Sequence, residues 1–276
     1  MNLVRRLPLV IGGTIVALTV LIAIFGPMLA PHDPFTQDLG QRFIPPVWLH
    51  GGSWRHPLGT DQLGRDYLSR LLLGIRISLE IGLTTVILSG LIGTTLGVLG
   101  GYFGGWIDSV VLFVISCRLA IPLILVALTV VFLVGSSLTV VMLTIGLLLW
   151  ERFAVVSRAA TRQVMSMEYV AAAWCAGCSR LRVVLGEVLP NIVNHMIVVA
   201  TNDMAVAILL AAALSFLGLG VPPPLPSLGL MIAEAKDYMF FTPWVIEVPG
   251  IALCVLAFGI NLFGDGLRDA LGAERG

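Results

Sequence analysis

Long apolar runs separated by shorter polar stretches occupy most of the chain. Crossing a bilayer takes about 20 mostly apolar residues, because the hydrocarbon core is roughly 30 Å thick and a helix rises about 1.5 Å per residue. The pattern predicts six spans, at 8–30, 79–101, 109–134, 137–157, 192–219 and 246–266. The fold class that follows is an all-α integral membrane protein. An even number of spans returns both termini to one side.

The first run follows Arg5 and Arg6 and extends from Leu7 to Ala30, longer than the roughly 7–15-residue apolar core of a secretory signal. No small-x-small cleavage pattern follows it, so residues 1–30 are expected to form an uncleaved transmembrane helix. Residues 31–78 hold many breakers, among them Pro31, Pro34, Pro45, Pro46, Gly51, Gly52 and Pro57. They are expected to form a looping extracytoplasmic segment that turns helical near Asp66. Residues 79–276 form the remaining unit, which contains a polar loop at 165–191. Pro222, Pro223, Pro224 and Pro226 end the fifth span and force a turn.

Excess arginine marks the cytoplasmic side of a membrane protein. Arg5, Arg6, Arg268 and Arg275 flank the terminal spans, and Arg158, Arg162, Arg180 and Arg182 crowd the segment between spans four and five, so both termini are expected in the cytoplasm. Arg42, Arg55, Arg65, Arg70 and Arg76 in or beside the outer segment run against this, in the company of Asp33, Asp38, Asp61 and Asp66.

Composition agrees with a bilayer protein: 58% of residues are hydrophobic and 12% charged. Lys and Arg equal Asp and Glu at 16 each and no block of like charge stands out, so a nucleic-acid partner has no electrostatic support. Cys117, Cys175, Cys178 and Cys254 imply no disulfide framework. Ser89, Gly93, Gly97, Gly101 and Gly105 recur at every fourth position, which predicts a flat groove where a second helix approaches closely.

Holding nucleotide phosphates takes a glycine-rich loop ending in Gly-Lys-Ser/Thr. The single lysine, Lys236, sits in AEAKDYM, so the chain cannot power itself by that route. Any ATP drive must come from another polypeptide docked on a cytoplasmic surface. The loop MSMEYVAAAWCAGCSRLRVVLGEVLPN from Met165 is the candidate. Ser166 is expected to cap a short helix with Glu168 in its first turn, and Gly177 to stop it. Tyr169, Ala172, Ala173 and Ala176 then share one narrow face of methyl groups with an aromatic anchor. Ser179 is placed to cap a second short helix, and Pro190 marks the return to the membrane. A connector packed under the bundle is the plainer reading of the same loop.

This loop resembles the EAA loop of type I ABC importer permeases: Ala172, Ala173, Gly177, Leu189 and Pro190 keep its spacing. Glu168 and Tyr169 ahead of it and Asn191 behind are similar to the dipeptide/oligopeptide/nickel branch, and to its shorter C-type permease subunit. HPLGTDQLGRDYLSRLLLGIRISL from His56, LSFLGLGVPPP from Leu214 and GINLFGDGLRDAL from Gly259 carry the same resemblance, which spans residues 56–271. It implies a six-helix permease core with a cytoplasmic coupling helix, formed by Glu168, Tyr169, Ala172, Ala173, Ala176 and Gly177. It also implies a related second permease, two nucleotide-binding ATPase subunits that hold ATP and Mg, and an extracytoplasmic solute-binding protein. No cofactor is expected on this chain. Transport would be by alternating access, with peptide, glutathione or nickel complexes as solutes. The chain departs from the pattern at Glu187, at Phe113 and Ser116 ahead of Pro122, at Leu228 before Gly229, and at Leu210–Ala213, where an acid is expected.

Asp203, beside Asn202, falls near mid-membrane in the fifth span. An ionisable group there costs about 2.5–3.5 kcal/mol on insertion scales, so it is expected to line a translocation path or to bond another helix, Asn202 being one partner. Arg118, close to a kinking Pro122, either snorkels or meets an acid. Arg76 and Glu80 are read as a surface pair. Two other classes compete with an ABC permease. One is a secondary transporter or channel, for which no inverted repeat is visible. The other is a membrane thiol oxidoreductase using Cys175 and Cys178, which the reducing cytoplasmic setting disfavours. His32, His50, His56 and His195 are scattered and propose no catalytic residue.

Overall fold

The computed structural model describes the backbone of residues 3–273 and the side chains of residues 7–270. Arg5, Arg6 and Arg275, which enter the orientation argument, lie outside the described side chains. The elements are α1 (Leu3–Leu29), α2 (Tyr67–Phe103), α3 (Gly105–Leu119), α4 (Leu123–Val134), α5 (Leu138–Gly146), α6 (Trp150–Met165), α7 (Glu168–Cys175), α8 (Arg180–Val183), α9 (Leu189–Phe216), α10 (Leu228–Ala235) and α11 (Trp244–Ala273). Among the described residues only two isolated β-bridges interrupt this all-helical order. Five helical stretches are long and apolar enough to span a membrane, and the bent pair α3–α4 makes a sixth.

Helix ends depart from the hydropathy limits. The second span starts at Tyr67, not at 79, because Asp66 caps it: Oδ2 accepts from the Ser69 N–H at 2.8 Å and from its hydroxyl at 2.6 Å. Span four begins at Leu138, breaks over 147–149, and continues to Met165 through Arg158 and Arg162. Span five joins α8 to α9 as one stretch, Arg180–Phe216. Pro190 stands in the first turn of α9, within this continuous stretch. A wide turn at Val184–Val188, where the Leu189 N–H reaches Val184 O, makes room for its ring, and Asn191 Nδ2 donates to Glu187 O at 2.6 Å.

The kink expected at Pro122 is a 79° bend between α3 and α4. Among the described residues Arg118 meets carbonyl oxygens and no acid. Its Nε and Nη2 donate to Leu148 O at 3.0 and 2.5 Å, in the α5–α6 break, and its Nη1 to Ile121 O at 3.3 Å, in the α3–α4 break. Arg76 and Glu80 stand exposed, and among the described residues no ion pair joins them.

Helix α2 is the central post, packed against α1, α5, α6 and α9. Its contact with α6 depends on missing side chains. A methyl at Gly93 would overlap Trp150 O, one at Gly97 would strike Ser157 Oγ and Ala154 O, and one at Gly101 would meet Arg158 O and Thr161. Ser89 is fully buried on the same row, its hydroxyl donating to Thr85 O at 2.6 Å. Gly105 is not part of this row: it opens α3 with φ +51 and open space around it. Helices α1 and α11 use the same device, with Gly12 against Phe263, Gly259 against Ile15 and Gly266 against Leu9.

The segment between α1 and α2 is not a loose loop. Arg65 in this segment and Arg70 in the first turn of α2, at 3% and 1% exposure, bind Asp61 and also Glu234 on α10. Two of the arginines that ran against the charge rule are thus neutralised inside the protein.

Candidate functional site

The candidate docking element α7 hangs below the bundle on one buried side chain. Val170, 1% exposed, packs with Val98, Ala160, Val164, Val183, Val188 and Ile192. Trp174 stacks on Tyr102 of α2 at 6.3 Å between ring centroids. These contacts link α7 to α2, α6 and the start of α9 together.

Ser166 does not cap this helix. It ends α6, where its hydroxyl donates to Gln163 O at 2.7 Å, and Met167 takes the N-cap position with no side-chain bond. The first-turn charge of Glu168 faces the free N–H groups instead. The other end closes with two reversed bonds, Gly177 N–H to Trp174 O at 3.0 Å and Cys178 N–H to Ala173 O at 3.1 Å. Gly177 adopts φ +77, a conformation that other L-residues enter at a cost. Ser179 caps α8 through the Arg182 N–H at 3.4 Å.

Glu168, Tyr169, Ala172, Ala176 and Gly177 are exposed, Tyr169 at 42%. Ala173 turns partly inward against the Val170 cluster and so leaves the outward face, because it lies three residues after the buried anchor. The result is a rigidly held knob of small side chains with a tyrosine at one end. Cys175 and Cys178 are free thiols. Nearby, Asp108 of α3 receives both Arg158 and Arg162 of α6, tying the α2–α3 turn to the helix that leads into α7. That trio was invisible in sequence, where the two arginines counted only as topology signals.

Higher in the bundle lies a cavity of about 630 Å³, lined in part by Glu151, Arg152, Asn202, Asp203, Asn261 and Asp265. Asp203 is buried midway along α9, and its Oδ1 accepts from Arg152 Nη1 at 3.1 Å. Its partner is therefore on α6, and Asn202 lines the same cavity without bonding it. Asp203 Oδ2 and Glu151 Oε2 are buried without a hydrogen bond from protein. Unpaired oxygens at a polar cavity leave it able to take water or a polar solute. Arg152, 51 residues from Asp203, and its neighbour Glu151 escaped the sequence reading because they sit at an interruption in an apolar run.

Residues 93–274 match the family model of the binding-protein-dependent transport system inner membrane component, and residues 3–46 match the N-terminal TM domain of oligopeptide transport permease C. The chain is 42% identical to the di/tripeptide transport system permease protein DppC of Pseudomonas aeruginosa, over 95% of this chain and 86% of that one. It is 37% identical to the probable D,D-dipeptide transport system permease protein DdpC of Escherichia coli, over 97% and 88%, and 36% identical to the glutathione transport system permease protein GsiD of Pectobacterium atrosepticum, over 95% and 85%. The fold is similar to that of the MetNI methionine ABC transporter in an inward-facing conformation, with TM-score 0.58 and 16% identity over 71% of this chain and 93% of that one. With its bundle, its internal knob-bearing loop and these matches over nearly its whole length, this chain belongs to the inner-membrane permease components of binding-protein-dependent ABC transport systems.

Proposed function

We propose that this permease moves short peptides or related solutes into the cytoplasm, and that separate ATPase subunits drive it through α7. The single observation that carries the reading is the exposed face of Glu168, Tyr169, Ala172 and Ala176 on a helix anchored by Val170 and closed at Gly177. A face of methyl groups admits close approach by a groove, and its fixed attachment to α2, α6 and α9 passes a push into the membrane helices. Peptides are favoured as cargo by the names of the DppC and DdpC relatives; glutathione, by GsiD, is of the same chemical kind.

In this reading two nucleotide-binding subunits hold ATP and Mg, a second related permease completes the pathway, and an extracytoplasmic binding protein delivers solute. Both termini then lie in the cytoplasm with α7, and residues 31–66 outside. Asn202 and Asp203 line the path. Coupling requires that the ATPase contact differ between the inward- and outward-open states, since only a differential contact shifts an equilibrium.

The test is Ala172→Arg in the reconstituted importer. A long cation on the methyl face is expected to abolish co-purification of the ATPase subunits, or to leave hydrolysis running without uptake. Fully coupled peptide uptake by this variant would defeat the docking role.

A further inference from the structure

Three polar side chains from separate parts of the chain converge where α1 hands over to α2. His32 lies just past α1, His56 in the turn-rich segment and Asp66 at the N-cap of α2. Each offers a ligand atom to one space, all within 4.8 Å of one another. His56 Nδ1 stands 2.8 Å, and His32 Nδ1 3.6 Å, from Asp66 Oδ1.

Gln41 Nε2 donates to Asp38 Oδ2 at 2.7 Å, which orients the amide so that its oxygen faces His56 Nε2 at 3.1 Å. An amide oxygen only accepts, so His56 Nε2 carries the hydrogen, and in the neutral ring Nδ1 is a bare lone pair. That lone pair faces a carboxylate oxygen. Asp66 is held in place by Ser69, which occupies its other oxygen. His32 Nδ1 is buried and makes no hydrogen bond. A second proton on His56 would settle one of these contacts and leave His32 Nδ1 unbonded. A metal ion settles all three.

We propose that His32, His56 and Asp66 bind a divalent transition-metal ion of the zinc type. Zinc holds nitrogen and oxygen ligands at about 2.0–2.2 Å, which places tetrahedral ligand atoms about 3.3 Å apart. The separations of 2.8 and 3.6 Å from Asp66 Oδ1 bracket that spacing. The His56–Gln41 bond is the outer contact that orients a metal-ligating imidazole. A cavity of about 400 Å³ bordered by Pro27, His32, Asp33 and Ser69 gives an entry path and room for water as a fourth ligand. The ion ties the end of α1, the intervening segment and the start of α2 at one point.

The importer complex, purified through an affinity tag without histidine, is stripped with a chelator and titrated with Co²⁺, then with Zn²⁺ in competition. The expected result is one Co²⁺ per chain with visible ligand-field bands, displaced by Zn²⁺. Binding should be lost in His32→Ala, whose ring makes no hydrogen bond and whose removal leaves the Asp66 cap intact. It should weaken about 10–100-fold in Gln41→Ala, which removes the outer contact to His56 Nε2 together with the amide bond to Asp38 and leaves all three ligands in place. Absence of saturable Co²⁺ uptake, or uptake that His32→Ala leaves unchanged, overturns the proposal. So does a nitrogen NMR signal showing His56 doubly protonated in stripped protein that takes up no metal.

Discussion

Arg152 of α6 reaches across the bundle to Asp203 of α9, Nη1 to Oδ1 at 3.1 Å, with the aspartate side chain 1% exposed and the arginine 49%. Both side chains line the cavity, the aspartate buried among helices and the arginine half exposed. Such a pair both joins two helices and presents charge to whatever enters. Replacing Asp203 with Asn keeps an oxygen that can accept from Arg152 and removes the opposite charge at the cavity wall. Uptake is expected to fall about tenfold, a barrier change of about 1.4 kcal/mol, at unchanged assembly. Uptake at the wild-type rate, measured in vesicles with matched protein amounts, would remove Asp203 from the path.

The α2–α6 seam makes a sharp stability prediction. Gly97→Ala forces a methyl into Ser157 and Ala154, and overpacking of this kind destabilises by about 1–3 kcal/mol. Gly250→Ala, in α11 with nothing within 4 Å, is the control and should be neutral or stabilising by about 0.5–1 kcal/mol, as for a helical glycine replaced by alanine. Thermal unfolding of the two variants in the same detergent compares them directly.

Glu234 receives two buried arginines, Arg65 from the segment ahead of α2 and Arg70 from the first turn of α2. Glu234→Ala strands Arg65 and Arg70 with Asp61 alone, and removing one member of a buried charge network costs about 3–5 kcal/mol. The exposed Glu80→Gln should stay within about 0.5 kcal/mol of wild type. Equal melting temperatures for the two variants would mean that the network contributes nothing to holding the segment between α1 and α2.

At Gly177 the φ of +77 orders the substitutions. Asn tolerates the left-handed region, whereas Val is branched at Cβ and does not. Gly177→Asn should keep ATPase co-purification and coupled uptake near wild type, and Gly177→Val should lose both. Equal behaviour of the pair would show that the turn geometry plays no part in docking.

The spans were legible because burial in lipid demands apolar length, and hydropathy measures that directly. Helix ends were not, because capping by Asp66 and continuation past Arg158 to Met165 rest on local bonds that hydropathy ignores. Helix α10 was missed altogether: eight residues after a proline cluster leave no span-length signal, yet they carry Glu234. In the loop, Gly177 and Ser179 were readable from residue type and position. Ser166 was misplaced because a serine after a helix and a serine before one look alike until the chain direction around them is known. Asp203 announced itself by the expense of burying a charge, while its partner Arg152 did not, since pairing across 51 residues leaves no trace in spacing.

Arg118 grips carbonyls in two interruptions at once, one beside the 79° bend and one between α5 and α6. Both joints are bolted by a single guanidinium. A change of angle at either bend therefore alters the carbonyl geometry that the same guanidinium meets at the other, so the two broken spans share one set of hydrogen bonds.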